Sequence, residues 1–381
     1  MNFDAENKRL NTNSIKWDGM KDFFGKDDVL PMWVADMDFR SPEEISEVHR
    51  KITEHNTYGY THKDDNYYNA VIEWYKKRFN ITVLPEQIAY SPGIVPGLKI
   101  CVNAFSEEND HAVIQSPVYY PFADVLKRNN RIIEDNKLIY KDGLYSVDFE
   151  DLEEKIKKSS FIILCNPHNP VGRVWKKEEL DKIVEICEKY SKIIISDEIH
   201  SDLVYEKGTF YSLLNYDYDK IAVACAPSKT FNLAGLGVAN FIFKNQELKN
   251  LFTESQERYS VGIINIFGMK ALETVYTKCE YWLEELLPYI EKNYNYIKKE
   301  FSEKLPGVIV SPLEGTYLLW LNFNKYGNEE KIYNLLLEKG KIGLERGSMF
   351  GTTGEGFFRM NIATTHENIK YACNQIIETL K

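Results

Sequence analysis

The chain has 381 residues, of which 44% are apolar and 27% charged, and its formal net charge is −10. That length is too great for one ordinary core and suits two domains, or one large α/β domain with an appendage. The acidic balance argues against an extended basic face for nucleic acid, while leaving room for a local cationic pocket that binds a small anion.

The longest apolar runs, such as Phe161–Cys165 and Thr316–Leu321, fall far short of the roughly 20 residues that span a bilayer. The opening MNFDAENKRL carries acids and no apolar stretch, so it does not read as a secretory signal. Six scattered cysteines with no CxxC pair read as reduced thiols of a cytoplasmic protein.

In chain order, the first 45 residues follow no simple periodicity and are expected to pack against a second domain. From about residue 66 to 245, short apolar runs alternate with amphipathic stretches. The runs are His111–Gln115, Phe161–Cys165, Lys192–Ser196, Ile221–Cys225 and Val238–Phe243. Lys176–Tyr190 typifies the stretches between, with Leu180, Ile183, Val184 and Cys187 at helical spacing. Such alternation predicts an α/β fold, a mostly parallel sheet covered by helices. After about residue 280 come a long helix (Tyr281–Lys304), a strand (Thr316–Phe323), a helix near Glu329–Lys339, a strand (Gly356–Ile362) and a last helix. This suggests a smaller α+β domain. The expected division is residues 46–280 for the large domain, with 1–45 and 281–381 forming the small one.

Three apolar runs lead into polar residues of complementary chemistry. Phe161–Cys165 is followed by NPHNPVG with Asn169, Lys192–Ser196 by DEIH with Asp197, and Ile221–Cys225 by APSKT with Lys229. Ligands of open α/β sheets bind beyond the carboxyl ends of the strands, so these three groups predict a site. A lysine amine condenses with a carbonyl when its pKa is lowered. An aspartate beside a pyridine nitrogen keeps it protonated, so the ring accepts electrons. An asparagine amide can donate to the ring's phenolic oxygen. His168, Asp197, His200 and Asp202 have no HxxxH or equivalent pairing, so no metal site is expected.

The runs NPHNPVG, SDEIH and APSKTFNLAGLG resemble, in order and over nearly the whole chain, the motifs of fold-type I pyridoxal 5'-phosphate (PLP) enzymes, the aspartate aminotransferase superfamily. LPMWVADMDF and DEIHSDL resemble the MalY/PatB branch of cystathionine and cysteine-S-conjugate β-lyases. His200 stands where ordinary aminotransferases usually carry Tyr, which favours the lyase branch. The resemblance implies Lys229 as the Schiff-base lysine and Asp197 as partner of the ring nitrogen. Asn169 faces the phenolic oxygen, Tyr119 lies over the ring and His200 beneath or beside it. Tyr120 serves substrate or catalysis. By the same resemblance Gly93, Ile94 and Val95, at the start of a helix, are expected to hold the phosphate with Ser228 and with Tyr60 of a neighbouring subunit. Arg359 grips the substrate carboxylate, with Ala35 and Asn169 also at the substrate. Many relatives have an arginine where Gly237 stands, so the phosphate here relies on other donors. The implied activity is a carbon–sulfur β-lyase, cleaving cystathionine or cysteine S-conjugates to a thiol, pyruvate and ammonia, in a homodimer with composite sites. The alternatives are a class I/II aminotransferase and a regulatory protein on the same scaffold; no added helix-turn-helix favours the latter.

Overall fold

The computed structural model describes every residue except Glu6. Seven strands form the main sheet: β1 (Ile88–Ser91), β2 (His111–Ile114), β3 (Ile132–Asp135), β4 (Phe161–Cys165), β5 (Ile193–Asp197), β6 (Ile221–Cys225) and β7 (Ala239–Phe243). Their spatial order is β1-β7-β6-β5-β4-β2-β3. β7 runs antiparallel to both neighbours, and the other pairings are parallel.

The continuous apolar runs are explained by burial on both faces. Phe161, Ile163, Ala222, Ala224 and Phe241 point to one side, against helices Ile94–Phe105, Pro121–Arg128 and Gln246–Arg258. Ile162, Leu164, Ile194, Val223 and Ile242 point to the other, against helices that include Asp65–Phe79, Lys177–Lys189 and Ile266–Lys278. A strand side-chain period of two with apolar residues at every position leaves no solvent face. The predicted mixed α/β class with a mostly parallel sheet is what the chain adopts.

Four short strands form a second, antiparallel sheet: β8 (Ile309–Val310), β9 (Leu318–Asn322), β10 (Glu345–Arg346) and β11 (Phe357–Asn361), in the order β8-β9-β11-β10. The N-terminal residues run along this part of the molecule. Leu30 pairs with Ile342, the Asn361 N–H donates to the Met32 carbonyl at 2.9 Å, and the Asp38 N–H to that of Ala363 at 2.9 Å. A charge cluster fixes this strap. Lys16, wholly buried, meets Asp38 at 2.9 Å, and Arg9 meets Asp36 at 2.8 Å. Burial alone would raise the Asp38 carboxyl, but Lys16 and the Trp17 indole outweigh it and hold its pKa below the usual range. A buried charge needs such pairing, since an uncompensated one costs several kcal/mol, roughly.

Candidate active site

The three strand ends meet as their order requires, because β4, β5 and β6 are adjacent and parallel. Cys165, Asp197 and Ala224 lie in one row across the sheet. Asp197 is the last residue of β5, one position earlier relative to the strand end than the run Lys192–Ser196 suggests. Asp197 is almost wholly buried, and its Oδ1 accepts the Ile199 N–H at 3.1 Å. Its Oδ2 takes no hydrogen bond from the described residues. Desolvation pushes this carboxyl up to about 7, against the opposing pull of Lys229.

Lys229 leaves β6 on a turn and is half-buried. Its amine donates to the Ala35 carbonyl at 2.5 Å. Desolvation, reinforced by the charge of Arg359, brings it down to about 8. The same Ala35 oxygen accepts the Tyr317 hydroxyl at 2.8 Å. His200 is buried with its ring edge-on to Tyr317, centroids 6.1 Å apart. Burial and the charges of Lys229 and Arg359 hold His200 neutral, well below its ordinary pKa, and its Nδ1 has no partner.

Arg359 lies on β11, 2% exposed, and donates from Nη1 to the Asn169 side-chain oxygen at 2.9 Å and from Nη2 to the Trp33 carbonyl at 3.2 Å. Its Nη2 also pairs with Glu345, equally buried and directly opposite on β10. Glu345 is held between opposing influences, burial raising its pKa and Arg359 lowering it, with burial ahead. The Asn169 carbonyl accepts the Tyr119 N–H at 3.0 Å, which joins the loop after β2 to the loop after β4. The rings of Tyr119 and Tyr120 lie 5.6 Å apart. Burial raises both phenols.

The helix Ile94–Phe105 begins at Gly93 with no side-chain cap. Its first-turn donors are the Ile94 and Val95 amides, since Pro96 has none, and a helix N-terminus of this kind receives anions. Gly237 has φ 59°, a left-handed conformation that suits glycine, and a Cβ there would meet the Pro92 carbonyl at 3.3 Å. The Tyr90 hydroxyl donates to the Gly237 carbonyl at 3.2 Å, and the Lys63 ammonium stands 5.6 Å from the Tyr90 ring centroid. Ser228 is half-buried beside Lys229.

Direct contacts therefore tie Lys229 to Ala35, and Arg359 to Asn169 and through it to Tyr119, while Arg359, Asp197 and His200 lie within electrostatic reach of Lys229. Tyr60 stands apart: it is 95% exposed. Sequence reasoning missed Tyr317, Glu345 and the Trp33 carbonyl. A tyrosine inside the apolar run Thr316–Leu321 was a signal, since a buried phenol needs a partner.

The sequence profile described as "Aminotransferase class I and II" matches residues 28–376. The chain is 43% identical to the cystathionine beta-lyase PatB of Bacillus subtilis (strain 168), with 97% of this chain and 98% of PatB covered. Among solved structures it superposes on a PLP-bound putative aminotransferase from Clostridium difficile 630 with a TM-score of 0.97 at 38% identity, covering all of both chains. It superposes on cystalysin from Treponema denticola, which contains PLP, with a TM-score of 0.95 at 35% identity, over 99% of this chain and 98% of cystalysin. With the motifs, the sheet and near-complete coverage in agreement, this chain belongs to the class I and II aminotransferase family, alongside the PatB-type cystathionine β-lyases.

Proposed function

We propose that this chain is a PLP-dependent carbon–sulfur β-lyase that cleaves cystathionine or cysteine S-conjugates to a thiol, pyruvate and ammonia. The observation that carries the reading is what the site's polar groups leave unused. Among the described residues, Asp197 Oδ2 and the Asn169 side-chain NH2 make no hydrogen bond, and the buried His200 Nδ1 and Arg359 Nε have no partner. Buried polar groups are normally paired, so this set fits a bound molecule that presents a ring nitrogen, a phenolic oxygen and a carboxylate.

Bound PLP draws into its ring the electron pair left at the substrate Cα, which makes the Cα proton acidic. Lys229 holds the cofactor aldehyde through Nζ. The free Lys229 amine would take the Cα proton, a task its pKa of about 8 suits. Asp197 would keep the ring nitrogen protonated, and the Asn169 amide would donate to the phenolic oxygen. Tyr119 would cover the ring, His200 would pack beside it, and Tyr120 would line the substrate side. The Ile94 and Val95 amides, with Gly93 shaping the turn and Ser228 adjacent, would hold the phosphate. Arg359 grips the substrate α-carboxylate, with Ala35 and Asn169 beside it.

The same reading divides the chain into residues 46–280, which carry the cofactor, and residues 1–45 with 281–381, which bring Ala35 and Arg359 to it. It also takes the enzyme to be a cytoplasmic homodimer in which Tyr60 reaches the neighbouring subunit's phosphate. The Tyr60 exposure of 95% and that of Tyr58 (57%) and Ile263 (62%) support a partner surface. The six free cysteines, all buried, accord with a reducing compartment.

Incubation of the purified holoenzyme with cystathionine, and separately with an amino acid and a keto acid, tests the activity. Pyruvate and a thiol from the first, with little amino-group transfer in the second, is the expected result. Rapid transfer with no thiol release would assign the chain to the transaminases instead.

A further inference from the structure

A buried arginine that waits for a carboxylate faces a problem: until the ligand arrives, its charge is uncompensated. Here the compensation is built in. Glu345 and Arg359 are partners across the β10–β11 pair, both 2% exposed, and their side chains meet on one face. The guanidinium has five N–H donors. Glu345, the Trp33 carbonyl and Asn169 occupy three of them, while among the described residues Nε has no partner and one Nη1 hydrogen remains. The Phe350 ring lies 4.8 Å from the guanidinium carbon and closes another side. A carboxylate ligand must therefore use the remaining donors or push Glu345 aside. In either case two negative groups share one positive charge in a space with little water.

We propose that Glu345 is a positioning and affinity-setting residue for this site, a resident counter-ion that weakens Arg359's hold on the carboxylate of substrate and product. The inference rests on the reading of Arg359 as the carboxylate group. Its physical basis is that like charges in a desolvated pocket repel more strongly than in water, so part of the attraction Arg359 offers is already spent on Glu345. The pair keeps the guanidinium oriented in the empty site and lets the pyruvate carboxylate leave after turnover.

The test separates charge from geometry. Glu345→Gln keeps an acceptor for Nη2 and removes the negative charge; Glu345→Asp keeps the charge. Binding of 3-(methylthio)propanoate, a carboxylate with no amine, to the holoenzyme is measured by calorimetry, alongside KM and kcat for cystathionine. Glu345→Gln should tighten the probe and lower KM by about tenfold, equivalent to about 1.4 kcal/mol, with kcat little changed, as expected for binding that is uniform between ground and transition states. Glu345→Asp should stay near the parent. Should the Gln variant fold poorly, Glu345→Met removes the charge at similar volume and repeats the measurement. Affinity that is unchanged or weaker in the folded neutral variants overturns the proposal. Arg359→Gln distinguishes the two levels of failure. If it binds the probe as tightly as the parent, the carboxylate assignment itself has failed. If it loses the probe while neutral variants at Glu345 fail to tighten it, only the counter-ion role falls.

Discussion

The Lys229 amine and the Ala35 carbonyl oxygen lie 2.5 Å apart, although 194 residues separate them in the chain. A lysine at the end of a main-sheet strand is thus tied to the backbone of an N-terminal strap, and that strap is anchored by Arg9, Lys16, Asp36 and Asp38. The contact gives the amine one fixed acceptor where it would otherwise sample solvent.

Borohydride reduction of the PLP-loaded protein, followed by peptide mapping, should place a pyridoxyl group on Lys229. Lys229→Ala should lose turnover by several orders of magnitude, because it removes both the nucleophile and the base. Labelling of a different lysine would move the site.

Asp197 carries a pH signature. Its folded pKa of about 7 stands above the ordinary 3.8, chiefly through desolvation. The stability of a raised-pKa acid is fully present below the unfolded value and is lost as pH rises through the folded one. The apoprotein should therefore be penalised above about pH 7, by a few kcal/mol at most at about 1.4 kcal/mol per pKa unit. Apo Asp197→Asn should melt higher than the parent apoprotein at pH 8, with the advantage gone at pH 4. PLP, by supplying a ring cation, should stabilise the parent more than the variant. A melting difference that ignores pH would sink this account. Turnover of the loaded variant should fall to a small fraction of the parent's.

How much of this was legible in the chain depends on the kind of signal. Asn169, Asp197 and Lys229 were readable because strands buried on both faces leave unbroken apolar runs, and whatever ends such a run stands out. Arg359 followed from a motif in a strand-like run. Glu345 was invisible because its strand has two residues and no periodicity. The parts played by the Ala35 and Trp33 carbonyls are backbone roles, which side-chain chemistry does not announce. That Arg359 reaches Asn169 from 190 positions away is a property of how the second sheet docks, and no local pattern encodes it.

Gly97 tests the anion cradle through packing. It lies in the first turns of the helix Ile94–Phe105, and a Cβ at this position would overlap the Phe241 ring on β7. The helix can sit this close to the sheet only because the side chain is absent. Gly97→Ala gains helix propensity but must displace Phe241 or the helix, an overpacking cost of about 1–3 kcal/mol. Chemical denaturation should show a net loss, and PLP affinity should weaken because the Ile94 and Val95 amides move with the helix. A variant as stable as the parent would mean that the helix has slack against the sheet.

Tyr60 offers the test of a composite site. Exposed at 95%, it makes no hydrogen bond or ring contact in its own chain among the described residues. With glycine at position 237, a phosphate bound as proposed would find no arginine there and would depend more on donors from elsewhere. Loss of one hydrogen bond to a charged group costs about 1.5–3 kcal/mol, so Tyr60→Phe should weaken PLP binding roughly 10- to 150-fold. Subunit mixing is sharper still. If each site takes its lysine from one chain and its tyrosine from the next, a heterodimer of Tyr60→Phe and Lys229→Ala subunits places both lesions in one site and neither in the other. At a PLP concentration too low to fill the Tyr60→Phe site, random exchange of equal amounts should return about a quarter of the parent's activity, since half the dimers are then heterodimers with one intact site each. No recovery under conditions where exchange is verified, or normal PLP affinity in Tyr60→Phe, would remove Tyr60 from the neighbouring site and leave the phosphate to the donors of a single chain.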